Sequence, residues 1–284
     1  MWDTRKLLLA GFICIVFSPK LSAGATKVLD MTPDAVDDLY TGCREQAMKT
    51  FIDSGLLTQE LDRDEGFKKA WTDNEKCSKL IHGGVKEHTT ALSAIVNGDQ
   101  DFRNTFNNAV KRLGVNESIY ERSFHFKSLH FLLMDAIKLV RNPNTKQCRT
   151  LHLLTDKYTA QVGSKVRFGG FTIVTDSYSE LQKLEDWDGQ FIFNITSCFF
   201  LNLDDSVCSK DSNMVLLSPA EEFTVMNVTK VNDQVNEAEY TAIILEQPEM
   251  RSSHNCYIFS RSPAVVSAQW LMLVLVVWPL LFLS

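Results

Sequence analysis

The sequence predicts an α+β protein in which helices come first and strands second. Apolar residues recur at three- and four-residue spacings up to about residue 145. From Cys148 onward they recur at every second residue. Between the two regimes stands Asn142-Pro143-Asn144, a tripeptide that stops a helix. Helices followed by strands argue against alternating βαβ units.

Taken in order, the chain begins with two basic residues, Arg5 and Lys6, then an apolar run over 7–17 and the small-residue stretch Ala23-Gly24-Ala25. That order predicts a secretory signal peptide over 1–25. Helices are expected at 40–51, 66–80 and 89–96, joined by polar segments. Ser118 and Glu121 read as a capping box that opens a long helix ending at Val140, with Phe126, Leu129, Leu133, Ala136, Ile137 and Val140 on one face. His125 and His130 on that helix are five residues apart and so face differently, which predicts ordinary histidines and not a ligand pair. Strands are expected within 166–175, 189–203, 214–219, 221–231 and 238–247, punctuated by Gly, Asp, Asn and Pro. After Arg261 the chain carries no charge, and 265–283 is long and apolar enough to span a bilayer. Nothing basic follows to hold a cytoplasmic end. Small residues, a short spacer and an apolar tail form the pattern of a glycolipid (GPI) attachment signal over 261–284, with Ser260 or Ser262 as the attachment residue. A single C-terminal transmembrane tail is the alternative. The expected mature unit is thus one domain, 26–260, mainly helical to 145 and mainly strands over 146–258, on the extracellular face of the plasma membrane.

Between residues 26 and 260 there are 25 Lys and Arg against 34 Asp and Glu. This acidic balance, with no long Lys/Arg block, excludes a nucleic-acid footprint. Six cysteines remain after the signal peptide: Cys43, Cys77, Cys148, Cys198, Cys208 and Cys256. An even number in an oxidising compartment predicts disulfides. None are spaced as a Cys-x-x-Cys pair, so no metal site is expected. Three sequons, at Asn116, Asn194 and Asn227, are open to glycosylation. Asn194 is the least suited, because it lies inside an apolar strand pattern. Neither "HGGVK" (82–86) nor "RFGGF" (167–171) has the spacing of a phosphate-binding loop.

Several stretches together resemble one family. "VLDMTPDAVDDLYTGC" (28–43), "SIYERSFHFKSLHFLLMDAIKLV" (118–140), "VRFGGF" (166–171), "VLLSPAEEF" (215–223) and "HNCYIFS" (254–260) are similar, in the same order, to vertebrate arginine-specific ecto-mono-ADP-ribosyltransferases. The resemblance covers nearly the whole mature chain. It implies a helical N-terminal half packed on a two-sheet β core, with a cleft for NAD between the sheets. It also implies the disulfides Cys43–Cys256 and Cys148–Cys198, leaving Cys77 and Cys208 either to form a third bridge or to stay free. Cleavage of the nicotinamide–ribose bond passes through a cation-like sugar, as in glycoside hydrolysis. In the family, an Arg on the first core strand grips the pyrophosphate through its planar fork. A Ser after the "RFGxF" turn positions the ribose, and a Glu-x-Glu before "VLIP" supplies the catalytic and target-orienting acids.

This sequence departs from the pattern at each place. Leu154 (or Leu153, since the spacing is shorter) stands where the Arg belongs, Ile173 at the serine, Met214 at the catalytic Glu and Ser212 at the target-orienting acid. Losing one proton-handling group costs about 10²–10⁴ in rate, and one charge stabiliser about 10²–10³. The expectation is therefore a catalytically degenerate member that works by recognition of an unknown extracellular partner. The alternative is an active NAD-dependent arginine ADP-ribosyltransferase or NAD glycohydrolase that uses displaced acids; NAD is a co-substrate only in that case, with Arg149, Arg167, Asp211 and Glu221 as the candidate substitutes. A one-residue shift along a strand reverses the side chain's face, which weighs against them.

Overall fold

Several helices in the first half start where a capping acid or amide precedes a short apolar stripe. Asp64 accepts from the Phe67 amide and opens α3 (Glu65–Asn74), and Asp99 accepts from Phe102 and opens α5 (Gln100–Arg112). The other helices are α1 (Arg44–Ala47, continued by wider π-type turns over Met48–Asp53), α2 (Leu56–Arg63), α4 (Lys86–Asn97), α6 (Glu117–Ser123), α7 (Lys127–Val140) and, among the strands, α8 (Tyr178–Leu181). These features come from a computed structural model that describes residues 27–259 except 78, 141–147, 156–157, 182, 184–186, 205, 209–212 and 235–236. The signal peptide, Ser260 and the C-terminal tail fall outside the described residues, as do Asp211 and Ser212.

The long helix expected over 118–140 is two helices. Phe124 and Phe126 turn into the core between them, and His125 lies in the break. The break has a physical cause far away in sequence: Glu60 of α2, itself buried, accepts from the Lys127 and Ser128 amides and so caps a fresh helix start at α7. Asn116, not Ser118, caps α6, its side chain accepting from the Ile119 amide. Three helices, α2, α5 and the short α8, were not anticipated.

His130, expected at most half-buried, is fully buried on α7. Its Nε2 faces the Val36 carbonyl at 2.9 Å and its Nδ1 faces the Tyr40 hydroxyl at 2.9 Å. A carbonyl only accepts, so Nε2 carries the proton, Nδ1 accepts from Tyr40, and the ring is neutral. Burial lowers the pKa of His130 from 6.5 to about 4. Because the unfolded chain binds the proton more tightly, stability is fully present above about pH 6.5 and falls as pH drops toward 4. The expected loss over that window is about 3 kcal/mol. Chemical denaturation at a series of pH values checks this, and His130→Gln, which keeps a donor and an acceptor, should flatten the slope. An unchanged slope in that variant would assign the acid sensitivity to other groups.

Strands β2 (Arg149–Thr155), β4 (Lys165–Val166), β5 (Thr172–Thr175), β6 (Phe191–Ser197), β7 (Leu201–Asn202), β8 (Met214–Leu217), β9 (Glu221–Asp233) and β10 (Ala238–Met250) form, among the described residues, one ladder in the order β4-β9-β10-β6-β2-β5-β8-β7. A small parallel pair joins β1 (Lys27–Val28) to β3 (Tyr158–Thr159). The ladder nearly parts at its middle, where β2 and β5 share the single pair His152↔Thr175. The two halves enclose a common core: Leu151, Phe193, Ile195, Val225 and Ile243 from one pack with Val174, Val215 and Leu217 from the other. That is the two-layer β core expected. Helices cover the opposite face of the β5-β8-β7 half, where Leu201 and Leu216 join the helical core. Pro248 is tolerated in β10 because it sits at a register shift between Glu246 and Glu249, where no ladder bond is required.

Three disulfides tie the layers together. Cys43–Cys256 and Cys148–Cys198 are as expected, and Cys77 pairs with Cys208. Beside the first, two buried acids, Asp37 and Asp38, clasp the 253–257 segment. Asp37 accepts from Arg167 Nη1 at 2.7 Å, from the Ser253 and His254 amides and from His254 Nδ1. Burial by itself would raise the pKa of Asp37; the bonds from His254, Ser253 and Arg167 win and hold it at about 2. Asp38 accepts from the Tyr40, Cys256 and Tyr257 amides.

Candidate functional site

A cleft of about 640 Å³ opens between α5 and the seam where β2 meets β5. Strand register decides which side chains share its floor. His152 opposes Thr175, and Thr175 opposes Met214, so by the two-residue period Leu154, Ile173 and Met214 lie on one face. Leu153 and Val174 have the opposite parity; Val174 is buried in the core between the layers, while Leu153, half-buried against that core, also reaches the cleft lining. The three positions singled out in the sequence are thus brought together, and all three line the cleft half-buried. Their own side chains do not fill it.

The turn before β5 shapes the floor. Gly169 has φ +64°, and a Cβ there would come within 2.4 Å of Thr32 Oγ1. At Gly170 a Cβ would meet Asn107 Oδ1 at 2.8 Å and Lys111 Cε at 3.1 Å. Asn107 of α5 holds the turn by both ends of its amide: Oδ1 accepts from the Phe171 amide at 2.9 Å, and Nδ2 donates to the Phe171 carbonyl at 3.0 Å. The facing wall is mostly polar, with Gln100, Arg103, Asn104, Asn107 and Lys111 from α5 beside Ile95 and Val96 from α4. Arg103 is committed to its own helix region, donating to the Val96 and Gly98 carbonyls and to Gln100 Oε1. Among the described residues, no carboxylate lines the cleft.

Two comparisons decide the relationship. A family model for NAD:arginine ADP-ribosyltransferase matches residues 29–253. The chain belongs to this family. Ecto-ADP-ribosyltransferase 3 of Mus musculus is 29% identical over 242 residues, covering 81% of this chain and 62% of that protein. Erythroblast NAD(P)(+)–arginine ADP-ribosyltransferase of Gallus gallus is 29% identical, covering 81% and 75%. The crystal structure of the eucaryotic mono-ADP-ribosyltransferase ART2.2, as a mutant in complex with NADH, superposes with a TM-score of 0.66 at 25% identity, over 82% of this chain and all of that one. A second mutant of that enzyme, in complex with NAD, gives 0.65.

In this ADP-ribosyltransferase-family chain the described candidate substitutes, Arg149, Arg167 and Glu221, lie away from the cleft lining. Arg149 is exposed, pairing with Asp176 at 3.1 Å and lying 5.3 Å from the Phe200 ring centroid. Arg167 is buried between Asp37 and Glu222, at 2.7 and 3.3 Å. Glu221 is fully buried and accepts from Ser197 Oγ at 2.7 Å. Asp211 and Ser212, the remaining positions of interest, are outside the described residues. A second network, in which partly exposed Arg44 and buried His88 meet buried Asp135, is structural: the Val85 amide donates to His88 Nδ1, so Nε2–H of His88 donates to Asp135. The sequons stand at an exposed helix cap (Asn116), on the exposed part of β9 (Asn227) and half-buried in central β6 (Asn194), where His152 Nδ1 meets Asn194 Oδ1 at 2.8 Å.

Sequence reasoning missed α5 and with it the polar wall. The signal was present: Asp99 as cap, followed by Phe102, Phe106 and Val110 at four-residue intervals.

Proposed function

We propose that this chain is a cell-surface member of the NAD:arginine ADP-ribosyltransferase family that has lost the transfer chemistry and acts by recognition. The observation that carries the reading is the floor of the cleft. The positions matched to the family's pyrophosphate-gripping Arg, ribose-positioning Ser and catalytic Glu converge as Leu154, Ile173 and Met214, with no carboxylate among the described lining residues. Pyrophosphate against leucine loses hydration with no ionic compensation, and a cation-like sugar beside methionine gains no charge stabilisation. The lining therefore does not fit NAD cleavage. Export by the 1–25 leader and GPI anchorage through the 261–284 tail complete the proposal. The three disulfides support it, as does the likeness to GPI-linked NAD(P)(+)–arginine ADP-ribosyltransferase 1 of Mus musculus, 25% identical over 88% of this chain.

The test is calorimetric titration of the purified chain with NAD, alongside transfer of labelled ADP-ribose to agmatine. No turnover and no saturable heat at micromolar NAD is the expected result. Steady transfer to agmatine would overturn the reading and direct attention to Asp211 as the replacement acid.

A further inference from the structure

Resting on that reading, we infer that the cleft binds a single-headed amphipathic anion, with its apolar body on Leu154, Ile173 and Met214 and its head group at Lys111. Three observations meet here. First, the floor presents half-exposed apolar side chains in an open volume of about 640 Å³, a size that suits small molecules. Surface of this kind is released from water only by a ligand with an apolar body.

Second, the positive charge at the cleft has no internal answer. Lys111 lays its stem over Gly170, and among the described residues its ammonium has no hydrogen-bond or ion-pair partner. Although its surface opens to solvent, crowding lowers its pKa, and Lys27 and Arg112 nearby lower it further. Lys27 lies 5.6 Å from the ring centroid of Tyr158, another lining residue, so cations gather along one side. Third, this happens in a chain whose residues 26–260 carry more acid than base, 34 against 25, and yet no described lining residue is acidic. The lining thus complements an anion.

Competing ligand classes fit less well. A neutral apolar molecule would further desolvate Lys111 without giving it a counter-ion. An inorganic anion would leave the floor wet. A dinucleotide carries two phosphates, while the cation that remains uncommitted in the lining is Lys111, because the Arg103 guanidinium is held by backbone carbonyls and Gln100.

The experiment uses the full chain, expressed in a secretory host and purified as that host processes it. The probe is 8-anilinonaphthalene-1-sulfonate, followed by fluorescence and competed with dodecanoate, dodecanol, dodecylammonium or NAD. Saturable one-site binding is expected, with dodecanoate displacing the probe at least tenfold better than dodecanol and dodecylammonium not displacing it. Lys111→Met should weaken dodecanoate about tenfold with an unchanged thermal midpoint, since Lys111 is on the rim. Ile173→Asp, which puts an anion on the floor, should abolish binding. Probe binding that does not saturate, equal competition by dodecanol, or indifference to both variants would overturn the inference. Those results leave the loss of transferase chemistry intact. Turnover of NAD, by contrast, would remove the reading on which the inference rests.

Discussion

Replacing both Cys43 and Cys256 with serine is expected to lower the unfolding free energy by about 5 kcal/mol. The bridge joins residues separated by 213 positions. In the chain-entropy account a cross-link acts on the unfolded ensemble, and its effect grows with the logarithm of the loop. Cys77–Cys208 and Cys148–Cys198, with separations of 131 and 50, should follow in that order, the whole series spanning only about 1 kcal/mol. The long bridge has a further claim to the largest effect. It lies beside the clasp in which Asp37 and Asp38 hold the 252–257 segment, so its loss also frees one partner of those buried bonds. Urea unfolding of the three double-serine variants under non-reducing conditions measures the series. A loss below about 2 kcal/mol for the Cys43/Cys256 variant would show that the clasp alone restricts that segment.

What was legible in the sequence follows from where the information is local. The change of period at Cys148 marks the passage from helices to strands because amphipathic periodicity is written within each segment. The floor of the cleft was legible too, since "RFGGF" and "VLLSP" fix the register on both sides of Ile173 and Met214. The break between α6 and α7 was not, because the carboxylate that restarts the helix belongs to Glu60, 67 residues before Lys127. Nor was the burial of His130, which depends on Val36 and Tyr40 folding over α7. Helix α5 shows a third kind of limit. Its apolar stripe of Phe102, Phe106 and Val110 is thin among Gln, Asn, Arg and Lys, yet those polar residues are what face the cleft. Whether the floor would be plugged by its own leucine and methionine is a matter of packing, which periodicity does not encode.

The two arginines considered as substitutes should separate cleanly. Arg167→Met is expected to cost about 3–5 kcal/mol, since it strands Asp37 and Glu222, both buried, with their shared cation gone. Lys165 and Arg251 approach Glu222 only at 3.8 and 3.9 Å and are largely exposed, so neither can take the guanidinium's place between the two acids. Arg149→Met should cost no more than about 1 kcal/mol, because its side chain is 44% exposed and its pair with Asp176 is screened by water. Denaturant unfolding of both variants, with NAD titration on each, distinguishes a structural cation from a catalytic one. A structural Arg167 loses stability with no change in the response to NAD. If Arg167→Met instead kept its stability and altered NAD binding, the buried Asp37–Arg167–Glu222 network would have to be read as part of a displaced site, and the degenerate floor of the cleft would no longer decide what this family member does.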